Sequence, residues 1–345
     1  MLLSESKICE FSESSICLHF VVLLMPSKGS VTSCPVLRFF FIFVQQDLEG
    51  HFQNEPEWKR YQRYTICILL PMKRLYCDTL HLILGVLLDI TGVLVESTTG
   101  GSKAIPGSIE AVKRLSTAGI PVRFVTNETQ RTRASLVGML HENGYSMPET
   151  DIFPPALAMA AIIKEKSLKP FTLVHPNLST DLSVPAAQYV ATEAEYNCVV
   201  IGDAVEEFSY KNLNAAFQII ADTGCPLYSL GKGKFYREDG KLMLDVGPFA
   251  ALLEFATEKP AVIVGKPSQD FFLTALKDMN VEANSAVMIG DDIVSDCGGA
   301  QSSGIQGVLV RTGKFRQTDE NHPKVTPDVI VDNLAMAVDM ILNQI

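Results

Sequence analysis

Four short motifs in this chain bring together residue types that can move a phosphoryl group. In Val86-Leu-Leu-Asp-Ile-Thr-Gly-Val-Leu94 an apolar run ends abruptly on Asp89. Val125-Thr-Asn127, Val264-Gly-Lys-Pro267 and Ile289-Gly-Asp-Asp292 each follow an apolar run of their own. The tips of parallel strands are where open α/β sheets build their sites. The four motifs supply a carboxylate nucleophile, a hydroxyl anchor, a cation and further carboxylates. That set suits Mg²⁺-dependent phosphoryl transfer through an aspartyl-phosphate. Taken singly, each motif has an ordinary reading. Asp89 would be a turn residue, Lys266 a solvated strand-end lysine, and Thr126-Asn127 the N-cap of the next helix. Gly290-Asp-Asp292 would be a capped turn with its carboxylates at a positive helix end. The last two readings are compatible with anion and metal binding.

Positioning such motifs takes strands alternating with helices, and from about Met72 onward the chain has that alternation. Strands are predicted at 83–88, 121–125, 261–264, 286–289, 307–310 and 328–331. Helices are predicted at 108–117, 131–143, 268–279 and 334–342, with Gly144 closing the second and Ser268 capping the third. The interval from Thr126 to Lys266 is far longer than one crossover and has an alternation of its own. It contains helices at 156–165 and 210–222 and strands at 171–174, 198–201 and 226–230. The expected fold is therefore α/β, a Rossmann-like parallel-sheet core (72–150 and 259–345) with an inserted α/β cap domain (151–258). A cap over the strand ends can exclude water and contact the leaving group. Within it, Gly231-Lys-Gly-Lys234 lacks phosphate-loop spacing and reads as a turn with solvated lysines. Glu206-Glu207 reads as an acidic first helical turn, with a contact to a cationic substrate as the alternative, and His175 reads as structural.

With 39 acidic against 29 basic residues the net charge is −10, which argues against a nucleic-acid partner. A phosphate substrate stays compatible, because local cations and a bound metal can outweigh the global charge. No apolar run reaches the ~20 residues of a membrane span. Residues 16–25 have the length of a signal-peptide core, but Glu5, Glu10 and Glu13 stand where basic residues belong. The eight cysteines show no metal-ligand spacing, which suits a reducing setting, the cytoplasm with the nucleus as a second compartment.

Asp89-Ile-Thr-Gly-Val-Leu94, Thr126-Asn127, Lys266-Pro267 and Gly290-Asp-Asp292 with Asp296 resemble the four motifs of the haloacid dehalogenase superfamily. The long insertion after the second motif resembles its type-two cap. Longer stretches, among them 123–128, 229–233, 242–248 and Val310-Arg-Thr-Gly-Lys-Phe-Arg316, resemble a branch acting on P–N and P–O–P bonds. The resemblance runs from about Gly85 to the C-terminus. It implies Asp89 as nucleophile and Mg²⁺ ligand, the main-chain carbonyl of Thr91 as a second ligand and Asp291 as a third. Thr126 and the amide of Asn127 would hold phosphoryl oxygens and Lys266 would neutralise them. Asp292 and Asp296 would orient the metal's waters or Lys266. The implied substrates are phosphohistidine, phospholysine, imidodiphosphate and inorganic pyrophosphate, free or on proteins, and the implied assembly is a homodimer through the cap.

Thr91 departs from the superfamily pattern, which places there a second Asp as general acid. Such an acid contributes about 10²–10⁴-fold. Its loss suits leaving groups that depart easily or arrive protonated, as in phosphoramidates and pyrophosphate. Two alternatives stay open: a phosphomonoesterase for sugar or cofactor phosphates, and a non-catalytic binder of phospho-ligands. Residues 1–71 show no sustained period and include the aromatic-basic patch Trp58-Lys-Arg-Tyr-Gln-Arg-Tyr64. They are expected to be a poorly ordered extension, with Met72 as a native start.

Overall fold

The computed structural model describes residues 83–184 and 196–343, together with the backbone of strands Cys17–Val21, Phe41–Gln45 and Tyr64–Ile66. Those three strands form an antiparallel sheet in that order, within a segment where the sequence offered no element. The rest of the aromatic-basic patch, the start-site expectation at Met72 and Cys9, Cys34, Cys67 and Cys77 lie outside the described residues.

Residues 81–345 form the second unit. Its centre is a six-stranded sheet, parallel at every pairing, in the order Val329–Val331, Gln306–Val310, Ala286–Gly290, Gly85–Leu88, Val122–Val125, Ile152–Phe153. Gly85–Leu88 and Ala286–Gly290 are buried along their whole length, as strands covered on both faces must be. Side chains alternate between two cores. Val86, Leu88, Phe124 and Ile289 pack under Leu115, Leu136, Leu140 and Val338 from helices Ser108–Thr117, Arg133–Glu142 and Leu334–Leu342. Leu87, Val125 and Met288 point the other way onto helix Gln269–Met279, whose buried stripe is Phe271, Phe272, Ala275, Leu276 and Met279. That spacing is the core face of a 3.6-residue period. Ser268 precedes this helix as expected, but its side chain makes no capping hydrogen bond.

Register then does the positioning. Leu88 pairs with Ile289 on one side and Phe124 on the other. The residues that follow each strand, Asp89, Asp291 and Thr126, therefore leave the sheet side by side at its C-terminal edge.

The inserted domain carries a parallel four-stranded sheet, ordered Val262–Ile263, Leu227–Ser229, Cys198–Ile201, Pro170–Leu173. Helices Tyr210–Thr223 and Val246–Thr257 cover one face, while Pro155–Glu165 and Ser179–Leu182 cover the other. Two expected boundaries shift. Ile152–Phe153 completes the main sheet, and Val262–Ile263 belongs to the cap sheet instead of preceding Lys266 within the core. Both strands are two residues long, too short to carry a periodic signal of their membership.

A third sheet ties the two layers together, and nothing in the sequence pattern announced it. The hairpin Val95–Thr98/Gly101–Ala104, which follows Asp89, pairs with the cap hairpin Phe235–Glu238/Lys241–Leu244 through Ser97 and Glu238. The Thr99 amide donates to Asp239 Oδ2 at 3.0 Å across the same seam. The cap thereby sits over the strand ends. Replacing the fully buried Phe272 by Ala is expected to cost about 3–5 kcal/mol. Thermal unfolding should show it as a Tm lower by roughly 10 °C.

Candidate active site

Asp89 is 6% exposed and Lys266 2%, among the few buried charged groups of the described chain. The Lys266 ammonium lies 2.8 Å from Asp89 Oδ1 and 2.8 Å from Asp296 Oδ1. Asp89 Oδ1 also accepts the amide of Ile90 at 2.8 Å. Asp296 Oδ2 accepts the amide of Asp292 at 3.0 Å, so both its oxygens are engaged. Burial works against the Lys266 charge, but the two carboxylates override it and push its pKa up. Lys266 thus stays a cation, wedged between two acids.

What holds Lys266 there is the side chain of Asn127. Its Oδ1 accepts the Lys266 amide at 2.8 Å, and its Nδ2 donates to the Lys266 carbonyl at 2.9 Å. The sequence reading assigned a role only to the Asn127 amide, so this side-chain clamp is new information. Thr126, 2% exposed, accepts the Glu128 amide through Oγ1 at 3.0 Å. The following helix is capped by Thr132, not by Thr126 or Asn127, which corrects the N-cap alternative.

Asp291 is seated by glycines. Gly92 (φ +92°) and Gly313 (φ +61°) both have left-handed backbones, and a Cβ on either would overlap the Asp291 carboxylate. Asp291 Oδ2 accepts the Lys314 amide at 2.7 Å, while Oδ1 is buried and has no donor. Burial, together with the charges of Asp89 and Asp296, raises the Asp291 pKa well above the ordinary carboxylate range. Asp296 is pushed up to about 6, mainly by burial, which outweighs the pull of Lys266. Asp292 goes the other way. Lys314 and the amides of Ser295 and Val294 override burial and lower its pKa. Its Oδ1 accepts both amides at 2.9 Å, capping the helical turn Ile293–Gly298.

Asp89, Asp291 and Asp296 present oxygens within 4.8 Å of one another. A cluster of buried carboxylates with one orphaned oxygen fits a hard divalent cation such as Mg²⁺. Since Asp296 is committed to Lys266 and the Asp292 amide, Asp291 Oδ1 is the oxygen left for a metal.

Asp89, Thr126, Asn127 and Asp291 form the floor of a cavity of about 370 Å³ that also meets Thr91 and Lys314, while Lys266 and Asp296 are buried behind Asp89. Its walls come from the cap and the connecting loop: Glu128, Gln130, Arg131, Asp203, Tyr236, Arg237 and Asp245. Gln130 Nε2 donates to Asp203 Oδ2 at 2.8 Å, and the Asp203 amide donates to Thr129 Oγ1 at 2.8 Å. Burial raises the pKa of both Glu128 and Asp245. Glu206 and Glu207 fit their reading as an acidic turn and not the alternative of a substrate contact, since both are exposed in the helical turn Val205–Glu207 and neither lines the cavity. Asp203, three residues earlier at a strand tip, stands there instead. Lys232 and Lys234 are exposed in a turn and His175 Nδ1 accepts the Asn177 amide, as the sequence suggested.

Comparison with known proteins agrees with this geometry. Residues 86–212 match the family model described as haloacid dehalogenase-like hydrolase, and residues 263–337 match the HAD-hydrolase-like model. Phospholysine phosphohistidine inorganic pyrophosphate phosphatase of Homo sapiens is 51% identical over 259 residues, covering 75% of this chain and 94% of that protein. The haloacid dehalogenase-like hydrolase domain-containing protein 2 of Homo sapiens is 38% identical, covering 76% and 96%. Among solved structures, a p-nitrophenyl phosphatase from Archaeoglobus fulgidus superposes with a TM-score of 0.66 at 24% identity, covering 74% of this chain and 98% of that one.

Lys266→Met would leave two buried carboxylates facing each other without their cation. Removing one partner of a buried ion pair costs about 3–5 kcal/mol. Urea denaturation in the presence of EDTA should show that loss, and Lys266→Arg should show a smaller one.

Proposed function

The chain belongs to the haloacid dehalogenase-like hydrolases, and we propose that within them it is a Mg²⁺-dependent phosphatase of P–N and P–O–P bonds. Its substrates would be phosphohistidine, phospholysine, imidodiphosphate and inorganic pyrophosphate. The observation that carries this reading is the buried Lys266 ammonium between Asp89 and Asp296, directly behind the Asp89 carboxylate that floors a cavity whose general-acid position is Thr91. The relatives near 50% identity that bear the corresponding name support the substrate class.

Asp89 Oδ1 is held by Lys266 and the Ile90 amide, leaving Oδ2 to attack phosphorus in line. The P–N or P–O electron pair departs with the leaving group, and the phosphoryl group stays on Asp89. Water then attacks the same phosphorus, the P–O bond to Asp89 breaks, and the carboxylate returns with release of phosphate and a proton. Lys266 and Thr126 Oγ1 would take phosphoryl oxygens, joined by the Asn127 amide. Asp89, Asp291 and the Thr91 carbonyl would hold Mg²⁺, with Asp292 and Asp296 behind them. The metal supplies charge neutralisation between nucleophile and substrate. An amine that arrives protonated leaves as neutral amine, and a phosphate is itself a stable leaving anion. Neither needs the proton that Thr91 cannot deliver. The cap acids Glu128, Asp203 and Asp245 suit a leaving group that is a cation while bound.

We place the active assembly as a homodimer through the cap, supported by the exposed Leu252 and Phe255 on helix Val246–Thr257. We place the enzyme in the cytoplasm and nucleus, supported by Cys198, Cys225 and Cys297, which are free and buried.

Phosphate release from imidodiphosphate and pyrophosphate should depend on Mg²⁺ and fall on the order of 10³-fold or more in Asp89→Asn. Glycerol phosphate, whose alkoxide needs a proton, should turn over about 10²–10⁴-fold more slowly. Release confined to glycerol phosphate would replace this reading by the phosphomonoesterase, and no Asp89-dependent release would sink it. Metal binding offers a second test. A carboxyl whose folded pKa is raised takes up a proton as pH falls through that value. Asp296, at about 6, and Asp291, also raised, are then neutral and compete with the cation. The Mg²⁺-induced rise in Tm should therefore be larger at pH 8 than at pH 5.

A further inference from the structure

The loop after strand Gln306–Val310 carries a second, partly buried cation to which the sequence motifs gave no role. Four of its residues fix this loop. Thr312 Oγ1 donates to the Gly92 carbonyl, behind the nucleophile. The Lys314 amide donates to Asp291 Oδ2 at 2.7 Å. Arg311 pairs with Glu320 at 2.8 Å and Asp332 at 2.7 Å. Arg316 stacks its guanidinium over the ring of Phe235 from the cap, 5.0 Å from the centroid. The loop is therefore clamped to the core and latched to the cap hairpin at the same time.

The side chain of Lys314 is not consumed by this scaffolding. Its ammonium has one partner, Asp292 Oδ2, at 3.4 Å, which is long for a charge-assisted hydrogen bond. Its side chain keeps 21% of its surface and lines the cavity that holds Asp89. It feels Asp291 and Asp292 on the floor, and Asp245 on the cap feels it in turn. Lys314 thus lies between the floor, where phosphorus is attacked, and the roof, where a leaving group must sit. Lys266 is different, since both acids beside it lie at 2.8 Å and only 2% of its side chain is exposed.

Charge separates the two substrate classes at this point. Once a phosphoryl group sits on the floor, a phospholysine or phosphohistidine puts a cationic or neutral nitrogen above it. Pyrophosphate and imidodiphosphate put a second anionic phosphoryl group there, facing Glu128, Asp203 and Asp245. That second group needs a cation. Arg131 lies by Glu128 and Arg237 donates to the Gly240 carbonyl, whereas Lys314 is the cavity cation paired toward the floor, with Asp292. A lysine is suited to the task as a compact point charge on a flexible stem.

We propose that Lys314 is the specificity-determining residue that receives the second phosphoryl group of diphosphate substrates, and so sets the balance between P–O–P and P–N hydrolysis. This rests on the phosphatase reading of the same cavity.

The test is binding, so that it does not depend on turnover. Affinities of methylenediphosphonate and of inorganic phosphate would be measured by calorimetry with Mg²⁺, in an Asp89→Asn background with and without Lys314→Met. The expected result is a ratio of the two affinities that shifts against the diphosphonate by 10-fold or more, largely restored by Lys314→Arg. Parallel weakening of both ligands, or no weakening, would overturn the assignment. The companion assay compares kcat and KM for pyrophosphate and for phospholysine, and the ratio of kcat/KM should fall in the same direction, mainly through KM. An inactive parent enzyme in that assay would count against the phosphatase reading alone, since the affinity ratio still decides the role of Lys314.

Discussion

The site depends on one buried cation. Lys266 sits in a place where neither it nor its acids could stand alone, because an ion leaving water loses several kcal/mol of solvation. Asp89 and Asp296 at 2.8 Å restore it, and Lys266 in turn lets two carboxylates lie in one small volume. Removing any member strands the other two. This mutual dependence explains why so much of the surrounding structure is devoted to placing one lysine: two hydrogen bonds from Asn127, the register of three adjacent strands, and an amide from Asp292 to steady Asp296. It also leaves Asp291 Oδ1 buried without a donor, an oxygen that fits the proposed metal.

How far the sequence revealed this follows from which features are local. Asp89, Thr126 and Asp291 were legible because each closes an apolar run, and strand tips of a parallel sheet must converge. Lys266 closes such a run too, but one that belongs to the cap sheet. The core strands were legible for the same reason, since their burial leaves nearly continuous apolar stretches. Features that depend on two distant segments left no local trace. Ser97 and Glu238 pair across the cap seam without any pattern in either strand. Val262–Ile263 reads equally well as a strand of either sheet until its partner, Leu227–Ser229, is known. The Asn127 side chain and Lys314 belong to this class, because their roles come from backbone and carboxylates far away in sequence. Glu206 and Glu207 are the acidic helical turn they read as, and the cap acid that does line the cavity went unnoticed. A helical first turn is commonly acidic, whereas the single Asp203 at the strand tip carries no compositional signal.

The cavity joins two regions of opposite demand. Its floor needs positive charge, to gather a phosphoryl group onto an acidic nucleophile. Its roof carries Glu128, Asp203 and Asp245, whose raised or mutually repelling charges favour a cation or a proton donor near them. A substrate with an anionic phosphoryl end and a basic nitrogen end matches that polarity without adjustment. A diphosphate matches it only where a wall cation, Arg131, Arg237 or Lys314, offsets the acids.

Thr91 gives this polarity its chemical meaning. With an aspartate in its place the floor would deliver a proton to the departing oxygen, and the nature of the roof would matter less. A hydroxyl side chain cannot do so, and the burden of making a good leaving group passes to the substrate and to the wall it rests on. Acids that hold a protonated nitrogen in place, and a lysine that offsets the charge of a departing phosphate, answer that need from opposite sides. On the proposed phosphatase reading, Thr91 at the floor and the charged walls act together, with proton delivery by the enzyme replaced by selection of substrates that do not require it.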